Sequence, residues 1–167
     1  MFFQKIYSLL DKQALFLSSL RDNKQEPTLD NNTYPLLVIE LLRLFCENHY
    51  TELQNYLRSQ TSSKTQYNIV DSLAKLLCSC RVSIFTEPFL DKIFDTLTEF
   101  SQGPCRGNQV QISTSGFLEY AAGLLRVDGR QADGQPRKEK TLNIQSQQMS
   151  QLSIGLKPGE SNGVGLG

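Results

Sequence analysis

Few residues in this chain can do chemistry: among 167 residues there are one histidine and four cysteines. His49 follows Cys46 by three, so a Cys-His pair on one helix is conceivable, but Cys46 belongs to an apolar run where a thiol behaves as an inert core group. Cys46 and His49 with Cys78 and Cys80 make four potential zinc ligands. The second pair, two residues apart on a helix, points to different faces and opposes a tetrahedral site. Cys105 lies in a Gly/Pro segment beside Arg106, whose charge favours a thiolate, and is the candidate reactive thiol. No phosphate-binding glycine loop and no HExxH is present. Two glutamates are more informative. Glu47 follows the apolar run Leu36 to Cys46, and Glu99 precedes Gly103 at the close of a Phe-rich run. Helix C-termini carry partial negative charge and unpaired carbonyls, so a carboxylate there is disfavoured by up to ~1 kcal/mol unless a cation corrects it. Carboxylate oxygens beside free carbonyls suit a hard cation such as Ca²⁺; alternatively both glutamates are solvated, or paired with Arg43, Arg58 or Arg106.

These groups must be positioned by helices. Apolar residues recur at three and four from Phe3 to Leu17, which predicts an N-terminal helix over residues 1–22. Residues 23–34 read as a polar loop, with Thr33 as N-cap of a central helix starting near Pro35. Further helices are expected around Tyr50 to Leu57, Ile69 to Cys80 and Glu87 to Ser101, the last with Thr86 as cap and Pro88 in the first turn. After a GPCRGN loop, Ser115 caps a final helix through Leu125. The class expected is all-α: an antiparallel bundle or a slice of an α-solenoid, five to six helices in residues 1–127. All fifteen Phe and Tyr lie at or before Tyr120, so residues 128–167 are expected to form a disordered tail.

Composition narrows the function classes. Seventeen basic against seventeen acidic residues provide no field for a nucleic acid or an anionic membrane surface. No apolar stretch reaches the ~20 residues a spanning helix needs, and Asp11 and Lys12 interrupt the apolar start where a signal peptide requires continuity. Four cysteines without a secretory signal point to a reducing, cytosolic compartment.

The blocks LLRLFCENHYTELQNYLRSQ, KTQYNIV and LTEFSQGPCRGNQ, in that order, resemble the helical module shared by inositol trisphosphate receptors and ryanodine receptors, the receptor-homology-associated domain, over about residues 36–125. Some blocks lean to one receptor type and some to the other. The resemblance implies a cytosolic, non-enzymatic helical module at the face of the endoplasmic or sarcoplasmic reticulum, partnered by other domains or subunits of a calcium-release channel. It also implies that Glu47 and Glu99 contribute to an activating Ca²⁺ site, that His49 and Gln102 support the ion, and that a third ligand comes from another channel region. With neither pore helices nor an amino-terminal ligand-binding region, the chain reads as a fragment, a truncated product or a diverged short relative. The rivals are a free-standing helical scaffold without ion dependence, and a thiol or metal enzyme using Cys46, His49, Cys78 and Cys80.

Overall fold

The computed structural model describes residues 2–61 and 64–128; of the expected tail, residues 128–167, Asp128 is the end of a helix and the rest lies outside the described residues. Among the described residues there are seven α-helices and no strand: α1 (Phe2–Asp22), α2 (Leu29–Cys46), α3 (Thr51–Arg58), α4 (Ile69–Ser79), α5 (Glu87–Ser101), α6 (Arg106–Thr114) and α7 (Phe117–Asp128). A single 3₁₀ turn, Glu47–His49, joins α2 to α3.

The helices are arranged as stacked hairpins. Phe2 reaches Phe45 and Gln13 reaches Asn32, so α1 and α2 run antiparallel. Tyr7 packs by Tyr67, just before α4, while Arg21 donates to the Cys78 carbonyl at its end, so α1 and α4 are parallel. Lys92 of α5 meets Glu40 of α2, and the Thr96 hydroxyl donates to the Ile39 carbonyl. The end of α5 in turn lies against the turn that follows α2, so this pair is parallel too. One antiparallel hairpin, α1–α2, therefore stacks on another, α4–α5, the geometry of an α-solenoid rather than of a closed bundle.

The core lies between the layers. α4 buries Ile69, Val70, Leu73, Ala74, Leu76 and Leu77, and α5 buries Phe89, Leu90, Ile93, Phe94, Leu97 and Phe100. α7 closes one end with Phe117 against Phe94, ring centroids 5.9 Å apart, and with the Tyr120 hydroxyl on the Cys80 carbonyl.

Three sequence expectations are corrected. The polar loop stops at Thr28, not at residue 34: α2 starts at Leu29 and carries Pro35 inside it, so Thr33 is no cap. Its first turns are held by a tertiary bond, Gln13 Nε2 to Asn32 Oδ1 at 2.9 Å. Most of GPCRGN is not loop, because α6 begins at Arg106, and Ser115 closes α6 instead of opening α7. Thr86 does stand at the N-cap of α5, but its hydroxyl donates to the Arg81 carbonyl at 2.6 Å and so folds the preceding loop rather than capping the helix.

Candidate functional site

Glu47 and Glu99 sit at the same end of the α2–α5 pair. Glu47 opens the 3₁₀ turn, and the next two residues, Asn48 (φ 62°) and His49 (φ 58°), are both left-handed. Asn tolerates that region better than most side chains, but two consecutive non-glycine residues there store strain of order 1 to 3 kcal/mol each. Their effect is to reverse the chain within one turn, leaving Glu47 half exposed at the rim, with 51% of its side chain accessible.

Arg43 is shared between Glu40 and Glu47, so the pairing of Glu47 with Arg43 that the sequence left open is met in part. Its fork aims at Glu40, with contacts of 2.8 and 3.2 Å, and its Nη1 makes a longer i,i+4 ion pair with Glu47 at 4.0 Å. Glu40 also takes Lys92 at 2.7 Å, and the hydrogen bonds of Arg43 and Lys92 hold its carboxyl down to about 2.

Glu99 is half-buried one turn before Gly103, whose φ of 72° ends α5 in the left-handed conformation that glycine adopts without a Cβ penalty. A Cβ at Gly103 would lie 3.3 Å from His49 Cβ, so the strained turn rests directly on the end of α5. Burial pushes the Glu99 carboxyl above its ordinary range, His49 and Arg43 pull it back, and Glu47 adds to the rise. Those opposing influences put Glu47, His49, Arg43 and Glu99 in one electrostatic neighbourhood.

The carbonyls beside Glu99 are not free, contrary to the sequence expectation. Gln54 Nε2 donates to the Glu99 carbonyl at 2.6 Å and to that of Gln102 at 3.1 Å. Asn108 Nδ2 donates to the Phe100 carbonyl, and Gln109 Nε2 to those of Ser101 and Gly103. Three neutral amides thus satisfy every carbonyl from Glu99 to Gly103. Sequence periodicity missed them because an amide on an apolar face reads as a defect. The available signal was that Gln54 shares a face with Leu57 and Asn108 with Ile112, at three- and four-residue spacing.

Three of the four thiols are buried and Cys78 is half-buried. Burial pushes Cys46 and Cys80 up to about 12. Cys105 is only 1% exposed, and the same cause raises it; the nearby guanidinium belongs to Arg58 instead of Arg106. The candidate reactive thiol is therefore corrected to a buried one, because the segment around it folds as the start of α6 under α3. Among the described residues no group of three or more His, Cys, Asp or Glu side chains is arranged to hold a metal, so Cys46, His49, Cys78 and Cys80 do not assemble as a zinc site. Glu47, His49 and Glu99 form no such three-donor group either; they share only the helix ends, where the Glu47–His49 turn meets the close of α5.

Comparison with known proteins gives the same region. An 84-residue segment is 38% identical to the inositol 1,4,5-trisphosphate receptor itr-1 of Caenorhabditis elegans. That match takes in 43% of this chain but spans only 3% of the length of the receptor. The profile of a family described as RyR and IP3R homology associated matches residues 29–125, from the first turn of α2 to the last of α7. With well over half of its residues inside that match, the chain belongs to the RyR and IP3R homology-associated family.

Proposed function

We propose that this helical unit serves a calcium-release channel of the inositol trisphosphate or ryanodine receptor type, on the cytosolic side of the endoplasmic or sarcoplasmic reticulum, where it supplies Glu47 and Glu99 to a regulatory Ca²⁺ site. The observation that carries the reading is the meeting of the α2 and α5 ends, where a strained reversal holds Glu47 at the rim and Arg43 pairs more closely with Glu40, at 2.8 Å, than with Glu47, at 4.0 Å. Two carboxylates fill only part of the 6 to 8 oxygens Ca²⁺ prefers, and the neighbouring carbonyls are occupied, so the remaining ligands come from another domain. His49 and Gln102 support the ion without ligating it. An ion shared between this unit and a second domain favours the arrangement that brings them together, and that differential affinity is what biases gating.

The test is calorimetric or NMR titration of the full chain with Ca²⁺. Binding should be weak, in the ~10⁻⁴ M range or worse, with Mg²⁺ weaker still, and either Glu47→Gln or Glu99→Gln should abolish it without unfolding the protein. Mutants that bind as wild type does would overturn the assignment. A second reading, an ion-independent helical scaffold, is favoured by one feature: Tyr34, Leu37, Leu41 and Leu44 form an exposed stripe along α2 at heptad spacing, 39 to 66% accessible. No helix among the described residues is long and apolar enough to cross a membrane.

A further inference from the structure

The 3₁₀ turn and α3 form one short continuous segment, Glu47 to Arg58, and Gln54 within it reaches across to the peptide of Glu99 itself. We propose that Gln54 is the positioning residue that fixes the spacing between the Glu47 and Glu99 carboxylates, an inference that rests on the Ca²⁺ reading above. Gln54 is wholly buried, and its amide orientation is dictated by its surroundings: carbonyls at 2.6 and 3.1 Å require the Nε2 on that side. Both of its Nε2 bonds are donated to the end of α5. Asn108 locks the other side of the same residue by donating to the Gln54 carbonyl at 2.8 Å, and its own Oδ1 accepts from Arg58 Nε. The segment carrying Glu47 is thereby bolted to the helix end carrying Glu99.

The choice of an amide matters. Helix C-termini ordinarily favour Lys or Arg, whose charge complements the dipole. A cation there would repel an ion held by the adjacent carboxylates; an amide satisfies the carbonyls and leaves the field negative.

Gln109 supplies the control. It gives two bonds to the same helix end, at Ser101 and Gly103, but comes from α6, and neither bond involves the Glu47 segment. Full-chain wild type, Gln54→Met and Gln109→Met should be titrated with CaCl₂ by NMR at a temperature where all are folded. Gln54→Met should weaken binding at least tenfold and Gln109→Met less than twofold. Equal losses in the two variants, or wild-type affinity in Gln54→Met, would overturn the proposal. A calcium-free measurement separates it from the site reading: nuclear Overhauser contacts between His49 and Gly103 should vanish in Gln54→Met and persist in Gln109→Met. If wild type binds no Ca²⁺ and those contacts still vanish, the spacing role stands and the Ca²⁺ reading fails; if they persist, the spacing role fails. Should Gln54→Met not fold, Gln54→Asn, whose amide falls one methylene short of Glu99, should show the same losses, and wild-type behaviour in it would overturn the role.

Discussion

The bridge between the two hairpin layers gives the sharpest stability prediction. Glu40 on α2 accepts from Arg43 on its own helix and from Lys92 on α5, and these bonds hold its carboxyl near 2 against an ordinary 4.5. A depression of that size corresponds to an upper bound of about 3 kcal/mol, at about 1.4 kcal/mol per unit. A third of the Glu40 side chain is accessible, so screening reduces the contribution to about 1 kcal/mol. Because the folded value lies below the unfolded one, this stabilisation is fully present above about pH 4.5 and fades as pH falls towards 2. Glu40→Gln should therefore lose about 1 kcal/mol at pH 7, or about 3 to 5 °C in Tm for a domain of this size, and the wild-type and mutant values should converge near pH 2. Burial raises Asp91, Asp95 and Glu99, which tilts the absolute curves the other way; Asp91 and Glu99 are common to both proteins, while the Glu40 charge adds to the rise at Asp95, so the difference reports Glu40 together with that coupling. Urea unfolding at pH 7, 4 and 2.5, with Lys92→Met completing a double-mutant cycle, measures it. A difference independent of pH would show lost packing instead of a lost ion pair, and no difference at pH 7 would show a bridge without energetic weight.

Two further outcomes are expected. In native protein Cys78, the only half-buried thiol, should alkylate first and Cys46 and Cys80 last, as read by mass spectrometry of labelled peptides; Cys105 reacting ahead of Cys78 would contradict its burial. Gly107→Ala should destabilise by more than ~1 kcal/mol in thermal unfolding, because a Cβ there would overlap the Arg58 guanidinium and displace its bonds to Asn55 and Asn108; an unchanged Tm would mean that Arg58 can swing away freely.

What the sequence made legible followed one physical rule. Where a helix buries a continuous apolar stripe, spacing alone located it: α5 spans Glu87 to Ser101 as the periodicity predicts, and α1 runs to Asp22. Where polar bonds do the holding, the pattern fails. α6 buries Asn108 and Ile112 and is pinned by amides to α3 and α5, so its sequence reads as loop. The early start of α2 depends on Asn32 meeting Gln13, nineteen residues away, which no local rule supplies. The same holds at the candidate site. Glu47 and Glu99 stood out because helix-end charge is a local property, whereas the occupied carbonyls and the role of Gln54 depend on contacts 45 to 48 residues apart in sequence.

The stacking of α1 on α4 also sets an order for folding during synthesis. The apolar face of α1, with Ile6, Leu10 and Leu17 buried in the finished domain, finds its main partner only once α4 exists. From Asp22 to the end of α4 at Ser79 the ribosome adds about 57 residues, which at about 5 to 20 residues per second leaves that face waiting roughly 3 to 11 s. Until then it is covered only by α2 and, through Phe3 against Tyr56, by α3, so the nascent α1–α2 hairpin is the stretch where a chaperone would find its longest-lived apolar target.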